Sequence, residues 1–167
     1  MTEDTNGINA APGDIVITRL IDAPAELVFA AWTNVSHLQK WFAPEGCSIK
    51  FMHADIREGG TFHSCVTVPG YGDCWCLGEY LEIVPDKKIV YTMINADQHG
   101  NKVADAGKDS EWPLETTVTI LIKPFNGKTK LILHQNAPEA VAKRTGAYPS
   151  WLQMLDNLEK SLSQDSI

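Results

Sequence analysis

The sequence predicts an α+β domain: a curved antiparallel sheet wrapped around a long C-terminal helix, with two short helices after the first strand. Three observations carry this. The first strand is followed by two helical strings, each ending in a tryptophan, Trp32 and Trp41. A run of β-patterned stretches punctuated by turn residues comes next. The chain then closes on a leucine stripe at helical spacing. A sheet packed on one helix covers its concave face only by wrapping, so the helix should sit in the sheet's grip with space left between them. At 167 residues the chain suits one domain over residues 14–163, with a flexible leader at 1–13 and a tail at 164–167.

Residues 14–22 alternate and are largely apolar on both faces, as in a covered strand. Pro24 suits the first turn of the next helix, where a missing N–H costs nothing, and Glu26 complements the positive helix end. Asn34 is an N-cap candidate for the second helix, which runs to about Phe42 before residues 44–46 stop it. Strands follow at 47–57, turned at Glu58-Gly59-Gly60, at 61–68, turned at Pro69-Gly70-Tyr71-Gly72, and at 74–84, turned at Pro85-Asp86-Lys87. A β-rich run at 89–96 precedes a polar loop, 97–112, too long for a simple hairpin. That loop reads either as a flap at a pocket mouth, anchored by Trp112, or as a solvated insertion. Residues 114–123 and 128–135 form a hairpin around Asn126-Gly127. A short helix at 138–145 stops at Gly146. Ser150 through Gln153 fits a capping box for the last helix, whose stripe is Trp151, Leu155, Leu158 and Leu162.

Composition narrows the function classes. A net charge of -7 without clustered Lys and Arg opposes a nucleic-acid groove or an anionic membrane surface. No apolar run is long enough to span a bilayer, and the first 13 residues hold no signal-peptide core, so a cytoplasmic protein is expected. Cys74 and Cys76 share one face of a strand; with the turn at 69–72, Cys65 is expected near Cys76, and His63 on the same face. Thiolate and imidazole suit zinc, but Cys-x-Cys is not the usual knuckle, so packing or a redox-sensitive pair is preferred and no metal is assigned.

Several strings resemble the START-like, Bet v-type helix-grip (SRPBCC) superfamily. They are Ala23-Pro24-Ala25-Glu26-Leu27-Val28-Phe29 with Trp32, Leu38-Gln39-Lys40-Trp41-Phe42, Asp55-Ile56-Arg57-Glu58-Gly59-Gly60-Thr61-Phe62, Gly78-Glu79-Tyr80-Leu81-Glu82-Ile83-Val84-Pro85, Thr129-Lys130-Leu131, and Trp151 through Leu158. The branch is the one named after the activator of heat-shock protein 90 ATPase, often described as polyketide cyclase-like. The resemblance implies the helix-grip fold over residues 14–163. Ser150-Trp151 stands where that family shows Gly-Trp, and Tyr148-Pro149 is extra. Together with the long 97–112 loop, these departures keep the family's ligand choice from being carried over.

A pocket between sheet and helix would be lined by Phe51, Phe62, Trp75, Leu77, Tyr91, Met93, Trp151, Met154 and Leu155, with Trp41 and Trp112 near its mouth. Five tryptophans favour a cavity over a merely filled core. The polar candidates His53, His63, His134, Glu79 and Asp55 match no catalytic motif, so no catalytic residue and no cofactor is assigned. Asp55 and Arg57 read as a structural pair at a turn, and His134 as an exposed or edge histidine. The leading expectation is a non-enzymatic binder, carrier or sensor, of a small hydrophobic or aromatic molecule. Alternatives are a cyclase-, aromatase- or hydrolase-type enzyme using the same cavity, and a co-chaperone of a heat-shock ATPase. An exposed Trp41 or Trp112 could also serve a homodimer interface.

Overall fold

The computed structural model describes residues 8–103 and 112–165. Strand β1 (Asp14–Ile21) leads into helices α1 (Ala25–Thr33) and α2 (Val35–Trp41). Strands β2 (Ser48–Ala54), β3 (Thr61–Val68), β4 (Gly72–Val84), β5 (Lys88–Ala96), β6 (Glu115–Phe125) and β7 (Lys128–Pro138) follow. Helices α3 (Glu139–Thr145) and α4 (Ala147–Asp165) end the chain. The strands form one antiparallel sheet in the order β1-β7-β6-β5-β4-β3-β2. Consecutive strands are neighbours from β2 to β7, and β1 returns to pair with β7.

One face of this sheet meets α4. Trp151, Leu155, Leu158 and Leu162 are buried in one cluster with Ile15, Ile17, Val118, Ile120, Leu131 and Leu133, so the predicted stripe is the packing face. Arg19 adds a polar tie: its Nη1 donates to Asp156 Oδ1 at 2.8 Å and to Glu159 Oε2 at 2.7 Å, joining β1 to α4. The short helices close the cluster through an aromatic knot. Trp32, Trp41, Phe42 and Trp151 meet edge to face, with ring centroids 4.6–6.1 Å apart.

Local chemistry accounts for most boundaries. Asn34 caps α2 by accepting from Ser36 N at 2.9 Å. Asn126 and Gly127 both take positive φ, 51° and 80°, which the tight β6–β7 turn requires. Gly146, at φ 92°, ends α3 in the left-handed conformation. Pro24 occupies the N-cap position of α1, ahead of its first turn. At the N-terminal side, residues 11–14 form a turn, with Asp14 N donating to Ala11 O at 3.1 Å; residues 1–7 of the expected leader lie outside the described residues.

Four expectations are corrected. The last helix starts at Ala147, so Ser150 is not its N-cap. Ser150 Oγ instead donates to Gly146 O at 2.9 Å from within the helix, and Pro149 is tolerated because first-turn N–H groups have no intrahelical acceptor. Strand β2 stops at Ala54, because the chain turns back there: Gly59 N donates to Tyr80 O at 2.8 Å and Tyr80 N to Gly60 O at 2.9 Å. The Arg57 guanidinium rests on the Asp55 carboxylate at 2.8 Å, as a turn-stabilising pair.

The third correction concerns the cysteines. The register pairs Cys65 with Trp75 and Ser64 with Cys76, so Cys65 and Cys76 fall on opposite faces. A slip of one residue reverses every side chain, and the loop of residues 69–71, closed by the Val68↔Gly72 pair, sets it. All four cysteines are free, and among the described residues no group of three or more ligating side chains could hold a metal. The fourth concerns His134, which is buried on the sheet face away from α4 and whose Nε2 lies 2.8 Å from Asp14 Oδ2. The neighbouring strand β1 covers what an edge strand would expose.

Candidate functional site

The alternation of β3, β4 and β5 sorts their residues onto two faces, and each face borders a different space. Phe62, Tyr80 and Tyr91 point toward the helices. Their rings lie 5.7–6.2 Å apart, and Phe51 joins them at 6.4 Å from Phe62. With Trp32, Leu38 and Phe42 they line a small, half-open pocket of about 20 Å³. Gly78 makes this packing possible, since a Cβ there would overlap the Phe62 ring and the Thr92 carbonyl.

Polar groups in this pocket are few and unusual. Trp32 Nε1 and Tyr91 OH are buried without a hydrogen-bond partner, in side chains only 2% and 4% exposed. Burial raises the Tyr80 hydroxyl's pKa above the ordinary tyrosine range. It also raises that of Tyr91 well above its ordinary value, helped by the neighbouring Tyr80 and Cys76. Both hydroxyls therefore stay protonated and keep an O–H to donate. The Cys76 thiol is likewise pushed up to about 11 by burial.

The predicted lining residues divide. Phe51, Phe62 and Tyr91 come together in the aromatic pocket. Met93, Met154 and Trp112 are half-buried against the same core, and Leu155 is fully within it. Trp151 is buried and committed elsewhere: its Nε1 donates to Gln135 Oε1 at 2.8 Å, and Gln135 Nε2 donates to Thr116 Oγ1 at 3.0 Å. Trp41 is not at a rim. It is 1% exposed and its Nε1 donates to Ala31 O at 3.0 Å, because α2 folds back onto α1 and turns that face inward. Trp41 therefore offers no surface to a dimer partner. Trp75 and Leu77 lie on the opposite face of β4 from Tyr80, pairing with Cys65 and His63.

Residues missing from the predicted set are Trp32, Leu38, Phe42 and Tyr80. Strand β4 is the reason for Tyr80. It is apolar on both faces, and a bulge between Tyr80 and Glu82 changes which parity points inward. Counting back from Gly78, where a conformationally costly residue interrupts a strand, was the available signal.

The second space lies on the sheet face away from α4. There the register places His53, His63, Leu77, Ile94 and Glu115 in one row across β2 to β6, and Thr61, Glu79, Thr92 and Thr117 in the next. These residues, with Leu81, Phe62, Gly78 and Lys102, line a half-open groove of about 530 Å³. Lys102 borders it on one side and follows a hydrogen-bonded turn, in which Asp97 Oδ1 accepts from His99 N and Asn101 N, both at 2.9 Å. These bonds, Asn101's first, hold the Asp97 carboxyl below its usual range. The expected flap thus begins as a fixed turn, while residues 104–111 lie outside the described residues.

Comparisons with known proteins agree with this fold. The sequence profile of a family described as "Activator of Hsp90 ATPase homolog 1-like protein" matches residues 22–163. A crystal structure of a Chromobacterium violaceum protein is similar at 28% identity, with a TM-score of 0.75 over 91% of this chain and 98% of the other. The AHSA1 protein of Silicibacter pomeroyi shares the fold at 19% identity and a TM-score of 0.72, covering 91% of this chain and 99% of that one. An Arthrobacter aurescens protein does so at 18% identity and a TM-score of 0.78, over 91% and 87% of the two chains. Comparison with curated protein sequences gives no significant match. Among the described residues no helix is long and apolar enough to cross a membrane.

Proposed function

This chain belongs to the activator of Hsp90 ATPase homolog 1-like family, and from that premise we propose that it is a non-enzymatic binder, carrier or sensor, of a small aromatic or hydrophobic molecule bearing a hydrogen-bond acceptor. The ligand is held between the sheet and the helices, against Trp32, Phe42, Phe51, Phe62, Tyr80 and Tyr91. The carrying observation is the pair of buried donors, Trp32 Nε1 and Tyr91 OH, that have no acceptor. Each such group costs about 1–3 kcal/mol when left unsatisfied. A ligand carbonyl or ether oxygen placed between them would recover that energy while its apolar body is buried.

In this structure the pocket measures about 20 Å³, room for about one water. Admitting a ligand requires ring movement, and Phe42 is the ring best placed to move. It is half-buried and caps α2 at φ -84°, ψ 51°. Its contacts with Trp32, Trp41 and Trp151 are worth about 0.5–1.5 kcal/mol each, a cost that burial of an aromatic ligand can offset. Binding is favoured over catalysis because this lining contains no imidazole or carboxylate among the described residues, and its hydroxyls are held protonated. The four free cysteines suit a reducing compartment, in keeping with a cytoplasmic protein.

The test is native mass spectrometry of the protein as purified, followed by thermal titration with aromatic ketones such as acetophenone. A ligand at about 100 times its Kd adds about 2.7 kcal/mol, or about 5–11 °C in Tm for a domain of this size. Trp32→Phe and Tyr91→Phe should abolish the shift, and Tyr91→Phe should leave the ligand-free protein no less stable. The reading is lost if no ketone raises the Tm, or if both variants respond like the parent chain. Stoichiometric capture of a heat-shock ATPase would move the assignment to a co-chaperone.

A further inference from the structure

We infer that the groove on the sheet face away from α4 is a second, independent ligand site, built for an organic ammonium with an apolar body. Three features of this groove converge on that chemistry. Its floor is apolar where Leu77 and Ile94 pair across β4 and β5, which suits a hydrocarbon or aromatic body. Among the described residues its charged rim carries two carboxylates, Glu79 and Glu115, against one lysine, Lys102. The chain as a whole is at -7, so cations are concentrated at its surface.

The third feature is His63, which is only 9% exposed. Its ring is held between Trp75, with centroids 5.3 Å apart, and the turn of residues 97–100. Nε2 lies 3.0 Å from the Asp97 carbonyl oxygen. A carbonyl oxygen only accepts, so Nε2 carries the proton and donates. Nδ1 of the neutral ring is then an acceptor. Gly100 of that turn lies beside the same edge of the ring, where a Cβ would stand 3.8 Å from Nδ1 and 3.9 Å from Cε1. A buried imidazole held by a backbone carbonyl and an indole is a fixed part of the groove wall rather than a mobile surface histidine.

The groove therefore offers two carboxylates, Glu79 and Glu115, beside the fixed His63 ring and above an apolar floor. An alkyl- or arylammonium satisfies this set with its N–H donors and charge. An anion meets two carboxylates, and a neutral alcohol gains only the floor and one hydrogen bond. The groove shares the Phe62 ring with the aromatic pocket but none of its polar groups, so polar substitutions test the two sites separately.

The experiment compares three probes of one shape: phenethylammonium, 2-phenylethanol and 3-phenylpropanoate. Binding is followed by amide chemical-shift perturbation in the full chain. The ammonium should bind about tenfold tighter than the alcohol, with the anion weaker still. Perturbations should map to His63, Leu77, Glu79, Thr92 and Glu115. In Glu79→Gln/Glu115→Gln, which alters two exposed side chains, the ammonium should lose its preference over the alcohol. About 0.5 M salt should erode it in the parent chain. Tyr91→Phe, made in the aromatic pocket, should leave ammonium binding unchanged. Equal affinity for all three probes would overturn the inference, as would a preference that survives in the double variant or perturbations confined to Trp32 and Tyr91.

Discussion

Gly78→Ala tests the packing that shapes both spaces with the smallest possible change. Gly78 sits in the interior of β4 at a negative φ, so alanine introduces no backbone strain there. Its cost is steric. The added methyl would overlap the edge of the Phe62 ring and the carbonyl oxygen of Thr92. Neither neighbour can yield easily: Phe62 is buried among Phe51, Tyr80 and Tyr91, and the carbonyl belongs to the adjacent strand. Inserting one methyl into a filled core costs about 1–3 kcal/mol. For a domain of this length that is a fall in Tm of about 2–12 °C. Urea unfolding of the single variant, of Phe62→Leu and of the double variant closes a cycle. Phe62→Leu should relieve the ring clash but not the clash with Thr92, so the double variant should be less damaged than the sum by about 0.5–3 kcal/mol. Additive effects, or a Gly78→Ala protein as stable as the parent, would refute the claim that Phe62 and Gly78 share one volume.

Other perturbations probe separate parts of the structure. Trp151→Phe strands Gln135 Oε1 in the core and should cost about 1–3 kcal/mol in urea unfolding, and pairing it with Gln135→Leu should restore part of that loss. Arg19→Met removes the tie to Asp156 and Glu159, lowering stability by about 1–2 kcal/mol in low salt and by less in high salt, as paired melts would show. Cys76 has a folded pKa of about 11 against an ordinary 9.0, so its protonated form stabilises the fold. That contribution is fully present below pH 9.0 and is lost as pH rises toward about 11. Alkaline melts should therefore fall off in this window, and less steeply in Cys76→Ala.

Much of the architecture was legible because it rests on local rules. The leucine stripe of α4, the Asn34 cap, the Asn126-Gly127 turn and the Gly146 stop each depend on residues within one or two turns of chain. The helix start was misread because Ser150 through Gln153 has capping-box residues inside a helix that Gly146 had already launched. The site was read less well. Trp75 and Leu77 were assigned to the cavity with Tyr91, yet β4 turns them to the other face. His53, His63 and Glu79 are scattered polar residues along the chain, and pairing across three strands gathers them beside one groove.

By itself the sequence determined the element order, the covering role of the two short helices and the inward stripe of the last one. All follow from periodicity and turn chemistry, which act over a few residues. Tertiary structure decided which parity of each strand faces the helix, that Trp41 is core and not rim, and that two spaces rather than one lie along β4. The physical reason is that register is a long-range quantity. A three-residue loop at 69–71 and a bulge after Tyr80 each shift pairing by one position, and one position exchanges the buried face for the exposed one.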